Sequence, residues 1–555
     1  MTPGRIVPRR AAPAILAAAL AAVYAIWSPR SLDLADALTR VKLFNAEGFG
    51  IWDNWWYGGH HTPGYSVLFA PIGAALGPQL AGALAVVGTA ALFEPLAHDH
   101  FGADAWLGAL WFAAGASTDL FTGRLTFALG LLPAVAAVLA LSRGRPWLAS
   151  LLAFITALAS PVAALFTALA GLAYTGGRLW DKSAREFGAN TGAAARAADR
   201  TRGPSGALNV AERHGLAVAV ASLAPIVVLA VVFPEGGTEP FAFSALWPIP
   251  VIALLLLVLL PRGERTLGTG VVLYTIGCVL AYAIPTAVGS NAARLGTLLA
   301  GPLVALILWR RRMVLLLVCA IPLLYVQAQA AVRDVSQADA DPATTAAYYR
   351  PLLGFLARES APPNPPFRTE IPFTEDHWEA YEVAPRFALA RGWERQLDIK
   401  DNSLFYGGTL TATAYRAWLD RLAVRFVAVA DAPLDYSARE EVALIDRGLP
   451  YLRLVWRSRH WRVYAVADPT TIVEGHATLR AFGPDSLTID ATAPGSVYVR
   501  VRFTPYWALS GGQGCVAPDG DFTRVTLRRA GQVRLVIRFA LDRIQAHSPR
   551  CTNGT

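Results

Sequence analysis

The first 328 positions hold one apolar run after another, among them AAPAILAAALAAVYAIW (11–27) and GLAVAVASLAPIVVLAVVF (215–233). Runs of this kind match the roughly 20 residues a helix needs to cross a bilayer, where every backbone N–H and C=O must be satisfied within its own segment. A helical membrane domain is the expectation for this half. Eleven candidate spans follow: 11–27, 79–97, 104–119, 123–141, 147–159, 161–175, 215–233, 249–261, 266–284, 295–309 and 313–328. The short runs around Pro161 and at 249–261 leave that number open by about two under the length rule. Ten runs follow the first, which argues for an uncleaved anchor over a signal peptide.

Over 555 residues the chain is 54% hydrophobic and 16% charged, with a mean hydropathy of +0.39. That average joins a membrane half to a soluble half and describes neither. The net charge of +9 raises the question of a nucleic-acid partner, and charge placement answers it. With the N-terminus inside, the inner pieces carry Arg5, Arg9 and Arg10, then Arg143 and Arg145, a basic stretch from Arg178 to Arg213, Arg262 and Arg265, and Arg310 to Arg312. The outer loops of the membrane half hold only Arg30, Arg40, Lys42, Arg124 and Arg294. By the positive-inside rule the basic excess records orientation in a cytoplasmic (inner) membrane. It implies no nucleic-acid partner, and it places everything after residue 328 outside the cytoplasm.

The loop DKSAREFGANTGAAARAADRTRGPSG (181–206) lacks apolar periodicity and reads as flexible. Residues 329–470 mix helical patterns with apolar strands, as an α/β domain does, and 471–555 alternate with period two (SVYVRVRFTPYW, QVRLVIRFAL), as a small antiparallel β-sandwich does. The expected domains are thus 1–328, 329–470 and 471–555. Outside the cell Cys515 and Cys551 can form a disulfide, the alternative being two unpaired thiols. No fixed-period repeat, Walker A, GxGxxG or GxSxG motif is present.

The segment SPRSLDLADALTRVKLFNAEGFGIWDNWWYGGHHTPGYSVLFAP after the first span concentrates polar chemistry: Asp33, Asp36, Arg40, Asp53, Trp55, Trp56, Tyr57, His60 and His61. Carboxylates at a membrane surface can act as general bases, and flat rings suit sugars and lipid headgroups. The plainer reading is solvated acids beside an interfacial aromatic belt. Two further outer turns, STDLFTGRLTF with Asp119 and Arg124 and PTAVGSNAARL with Asn291 and Arg294, supply arginines suited to a phosphate or diphosphate. The plainer reading there is arginines snorkelling toward headgroups. Hard carboxylate oxygens suit Mg²⁺ or Mn²⁺, so Asp33, Asp36, Asp53, His60 and His61 are also a candidate divalent-metal set, though their spacing is not diagnostic. No cofactor is otherwise indicated. A dense stretch, RTEIPFTEDHWEAYEVAPRFALARGWERQLDIKDN, offers His377, Trp378, Glu379, Arg391, Trp393 and Arg395 as contacts to a glycan acceptor or, alternatively, as an ion-paired docking surface.

An Asp near the start of the first outer loop, then W-D-x-x-W-Y-G-G (Trp52–Gly59), G-R-L-T-F-x-L-G (Gly123–Gly130) and G-S-N-x-x-R-L (Gly289–Leu295), resemble the GT-C superfamily of polytopic glycosyltransferases. The similarity is to the bacterial branch known as 6-pyruvoyl-tetrahydropterin-synthase-related membrane proteins. It covers most of 11–328 and, more loosely, the rest. The resemblance implies an enzyme in which a first-loop acid deprotonates an acceptor hydroxyl that attacks a polyprenyl-phosphate sugar in one inverting step. The acceptor would be a cell-envelope glycan or glycolipid, and membrane lipid would surround the site. Asp33 matches the catalytic position, with Asp36 its competitor; where the family often carries a following His, this chain has Ala37. A non-catalytic envelope-assembly or glycan-binding protein on the same scaffold is the alternative.

Overall fold

A computed structural model describes residues 6–190 and 209–552. The chain divides into two compact units: one of residues 1–28, 65–228 and 239–333, the other of 29–64, 229–238 and 334–555.

The first unit is helical. Each of the eleven expected segments carries an apolar helix, and eight stretches of the described residues are long and apolar enough to cross a membrane, the longest being Pro78–Phe121. That stretch is two helices, Pro78–Phe101 and Trp106–Phe121, joined by a tight turn at Gly102–Ala105. Pro146–Ala159 and Phe243–Leu259 are apolar but shorter. Several helices begin on proline (Pro78, Pro146, Pro248), whose missing N–H falls where no intrahelical partner exists. Buried hydroxyls are satisfied locally: Thr89 donates to the Ala85 carbonyl at 2.7 Å and Ser117 to the Ala113 carbonyl at 2.8 Å. Small residues let helices approach, since a Cβ on Gly171 would lie 2.5 Å from the Gly215 carbonyl oxygen. Buried Gln327 ties three helices, accepting from Trp111 Nε1 at 2.8 Å and donating to the Thr297 carbonyl at 3.2 Å.

The loop expected to be flexible is helical as far as Asn190, because the helix that starts at Pro161 continues through it; its remainder falls in 191–208, outside the described residues.

The second unit begins with a helix, Leu32–Glu47, and a two-stranded hairpin, β1 (Trp52–Asp53) and β2 (His60–His61). A four-stranded mixed sheet follows in the order β3 (Arg368–Glu370), β4 (Val424–Ala430), β6 (Trp461–Val466), β5 (Leu452–Arg457), with β3 parallel to β4 and the other pairs antiparallel. Helices Ala412–Arg421 and Arg439–Asp446 pack Trp418, Leu419 and Ile445 against Val427, Val429 and Val466 of this sheet. Nine further strands run from β7 (Val473–Glu474) through β8 (Ala477–Phe482), β9 (Ser486–Ala491), β10 (Gly495–Arg502), β11 (Trp507–Ser510), β12 (Gly514–Asp519), β13 (Phe522–Leu527) and β14 (Gly531–Ile537) to β15 (Arg550–Cys551). They make two antiparallel sheets, ordered β15-β12-β13-β10-β7 and β11-β14-β9-β8. Alternate residues of both, such as Val497, Val499 and Val525 from one and Ile489 and Leu535 from the other, share one core. Cys515 and Cys551 are joined as a disulfide across β12 and β15.

The expected domain boundary is corrected here. Residues 29–64 belong with the C-terminal part, because Trp52 sits in the core of its two sheets and Asn54 bonds the 483–484 turn, its N–H to the Pro484 carbonyl at 2.7 Å and its side chain to the Gly483 carbonyl at 3.0 Å.

Candidate functional site: a buried acid, arginine and histidine cluster

Helix Leu32–Glu47 starts after Ser31 and presents Asp33, Asp36 and Arg40 at successive turns. Its beginning is fixed by two indoles: Trp378 Nε1 donates to the Arg30 carbonyl at 2.9 Å and Trp393 Nε1 to the Leu32 carbonyl at 3.1 Å. The Arg30 guanidinium lies 4.0 Å from the Trp378 ring centroid and pairs with Glu382 at 3.1 Å. Asp36, 1% exposed, accepts the Arg40 Nε–H on both carboxylate oxygens at 3.0 Å, and the other arm of Arg40 donates to Glu394. Glu394 stands just before helix Arg395–Asp401. Asp33, one turn before Asp36, is half-buried.

The hairpin supplies the other side of the cluster. Asp53 and His60 are cross-strand partners, and Asp53 Oδ1 accepts the Trp55 N–H at 2.8 Å. Tyr57 takes a positive φ of 58°, followed by Gly58 and Gly59, and its hydroxyl donates to the Glu394 carbonyl at 2.9 Å. The turn sends His60 back beneath Trp56, the rings parallel within 6° at 5.6 Å, with His60 Nε2 3.9 Å from Glu394 Oε1. His60 Nδ1 and Trp56 Nε1 are buried and have no hydrogen-bond partner among the described residues. His61 sits in a separate pair: Nδ1 lies 2.8 Å from Glu235 Oε1, and Nε2 is 3.0 Å from Thr504 Oγ1.

Two buried carboxylates, Asp36 and Glu394, therefore share one guanidinium, and the buried Asp53 lies within reach of its charge. Burial pushes the Asp36 carboxyl up to about 6 against the pull of Arg40, with Glu394 and Asp33 adding to the rise. Asp53 is pushed up to about 6 by burial, partly offset by His60 and by the Trp55 N–H. Glu394 is raised by burial despite Arg40, and burial lowers His60 despite Asp53. Glu235 goes the other way: burial opposes its charge, yet the hydrogen bond and charge of His61 hold it below its usual value. Asp36 and Asp53 thus keep their protons to a higher pH than ordinary carboxyls do.

The proposed contact residues divide. Trp55, Trp56 and Tyr57 are 7%, 1% and 0% exposed, so as folded they pack the hairpin and offer no face to a sugar or lipid. His377, Trp378, Glu379 and Arg391 are likewise buried, which corrects their reading as acceptor contacts. Arg391 bonds Asp398 at 2.6 Å and Glu441 at 3.3 Å between the rings of Phe373 and Phe405, 3.9 and 4.1 Å away. Arg395 pairs with Asp435 at 2.6 Å, and His377 Nε2 is 3.6 Å from the same carboxylate. Burial would raise Asp435, but His377 and Arg395 outweigh it and hold it far below the usual range. Among the described residues no group of three or more His, Cys, Asp or Glu is arranged to hold a metal ion, so Asp33, Asp36, Asp53, His60 and His61 do not assemble into the candidate metal set; Arg40 holds Asp36, and His61 is drawn to Glu235.

In the helical unit, the Arg124 N–H closes the turn after helix Trp106–Phe121 by donating to the Asp119 carbonyl at 2.8 Å, and Asp119 is buried. The Arg294 guanidinium lies 5.4 Å from the ring of Phe127, three residues after Arg124, so these two arginines belong to one neighbourhood. Asn291 sits in the Gly289–Ala292 turn, where Ser290 donates to Glu239 at 3.1 Å.

Glu394 and Glu235 escaped the sequence reading. Glu394 carries a weak signal, an acid at a helix start amid GWERQLD; Glu235, in the turn FPEGG, carries none. Compared with models of known protein families and with curated proteins, the chain matches none.

Proposed function

We propose that the protein is an inverting GT-C-type glycosyltransferase of the inner membrane, with eleven spans and with its α/β and β-sandwich parts outside the cytoplasm. It would move a sugar from a polyprenyl-phosphate donor to an envelope glycan or glycolipid. Asp33 is the base, and Arg124 and Arg294 bind the donor phosphate. The observation that carries this reading is the place of Asp33 on helix Leu32–Glu47: it is half-buried one turn before Asp36, which is 1% exposed and bonded to Arg40 within the cluster. A base needs such a rigid mount with access to an acceptor hydroxyl.

The test is release of polyprenyl phosphate when the reconstituted protein is given a mixture of polyprenyl-phosphate sugars together with an extract of cell-envelope glycans and glycolipids as acceptor. Asp33→Asn is expected to lower it about 10²- to 10⁴-fold, the usual worth of a general base, with the fold intact. Asp36→Asn is expected to act mainly through the position of the helix and to leave measurable transfer. Full activity in Asp33→Asn overturns the assignment. The burial of Trp55, Trp56 and Tyr57 takes away the aromatic sugar contacts expected of a catalytic first loop; the second reading, a non-catalytic envelope-assembly or glycan-binding protein, needs none there, and it requires that wild-type protein release no polyprenyl phosphate and that binding survive both substitutions.

A further inference from the structure

Between β14 and β15 the chain makes an excursion, Arg538 to Arg550, that is pinned at both ends. The Arg538 N–H donates to the Tyr506 carbonyl at 2.9 Å, Arg550 donates to the Arg538 carbonyl at 3.0 Å, and the Cys515–Cys551 disulfide follows at once. Within it a short turn at Leu541–Arg543 holds Phe539 48% exposed and Leu541 76% exposed. Hydrophobic side chains held outward on a braced loop stand at a cost in water unless something apolar receives them.

The neighbours of this loop say what that is. Phe539 packs on Phe233 at 5.9 Å and on Tyr506 at 5.2 Å. Tyr506 donates its hydroxyl to the Val232 carbonyl at 2.7 Å, and Gln545 donates to the Val231 carbonyl at 3.3 Å. Val231 and Val232 are the last residues of Val210–Val232, whose stretch Glu212–Val232 has the length to span a membrane and contains an 18-residue window of mean hydropathy 2.6. The last carbonyls of a spanning helix lie at the boundary of the hydrocarbon, where an amphipathic Tyr belongs. Phe539 and Leu541 are therefore held beside a membrane boundary, and exposed Arg538 next to them has the sign that lipid phosphates attract.

We infer that the Phe539–Leu541 loop is a membrane-docking finger that inserts its apolar side chains into the headgroup and acyl boundary of the bilayer in which Val210–Val232 ends. The occupant is lipid, because the patch is continuous with the outward apolar surface of that helix end, where Val231 is 44% exposed.

The experiment uses full-length protein in nanodiscs of zwitterionic and anionic phospholipid, spin-labelled at Leu541→Cys, Val220→Cys or Ser496→Cys. Val220 lies in the span and is 63% exposed, and Ser496 is exposed on β10. Wild-type protein, whose free Cys278 and Cys319 are buried, sets the background. Collision with oxygen is expected to exceed collision with a water-soluble nickel chelate at 541 and at 220, and the reverse at 496. Nickel exceeding oxygen at 541 while 220 stays lipid-accessible overturns the docking finger and leaves the span standing. A label at 541 shielded from both reagents points to a second copy or another protein as the occupant and also overturns it. Replacing an exposed Leu leaves the core untouched, and retention of the Cys515–Cys551 bond in each variant confirms the fold.

Discussion

Asp53 shows what the buried cluster does to a single group. Its carboxyl, 2% exposed, is pushed from 3.8 to about 6 chiefly by burial. A folded-state value above the unfolded one means that ionisation costs stability: nothing is lost below about pH 4, the cost grows through the window from about 4 to 6, and it is complete above. At 1.36 kcal/mol per pH unit, the cost at pH 7.5 is about 3 kcal/mol. Asp53→Asn removes the charge and keeps an oxygen for the Trp55 N–H, so the variant is expected to unfold at a higher temperature than wild type at pH 7.5 and at the same temperature below pH 4. A melting difference that does not change with pH would refute the account. Asp53 was legible in the sequence as an acid in an aromatic segment. Its surroundings were not, because Glu394, which shares the cluster, lies more than three hundred residues further on.

At the scale of elements, the long apolar helices and the alternating strands were legible because burial there follows one period and one residue class. Helix Leu32–Glu47 was not, since its buried face includes Asp36, Thr39 and Arg40, which on pattern alone read as solvated loop. Its position depends on the Arg40 guanidinium, so Arg40→Met leaves Asp36 and Glu394 buried without their cation. Breaking a buried pair in this way costs about 3–5 kcal/mol. Faster amide exchange is expected across 32–47 at pH 7.5, and less of an effect at pH 5, below the value of about 6 to which burial raises Asp36. Equal exchange in variant and wild type at pH 7.5 would show that the indole contacts of Trp378 and Trp393 suffice alone. The hairpin has its own vulnerable point. Gly59 has φ +116°, and a Cβ there would lie 2.4 Å from the Trp52 ring, which anchors the hairpin in the core of the two C-terminal sheets. Gly59→Ala must distort that ring or the turn, at about 1–3 kcal/mol for overpacking alone. Lowered denaturant resistance of the C-terminal strands is the expected readout.

For the whole molecule, the sequence divided the chain near residue 328, but residues 29–64 and 229–238 group with the C-terminal part. A hydropathy pattern marks where segments enter lipid and carries no sign of which soluble segment a loop packs upon. Orientation is a different matter, because two independent features bear on it. The basic residues favour a cytoplasmic N-terminus and an outer C-terminal part. The Cys515–Cys551 disulfide forms and persists in an oxidising compartment and would be kept reduced in the cytosol. The four cysteines thus report the side of the membrane directly. If cells are quenched with acid and the denatured protein is alkylated, the free thiols Cys278 and Cys319 are expected to react at once, and two more only after reduction. Alkylation of all four before reduction would place the C-terminal part in the cytoplasm. The proposed base Asp33, which belongs to the same unit as that disulfide, would then face the opposite leaflet from the one the charge pattern assigns.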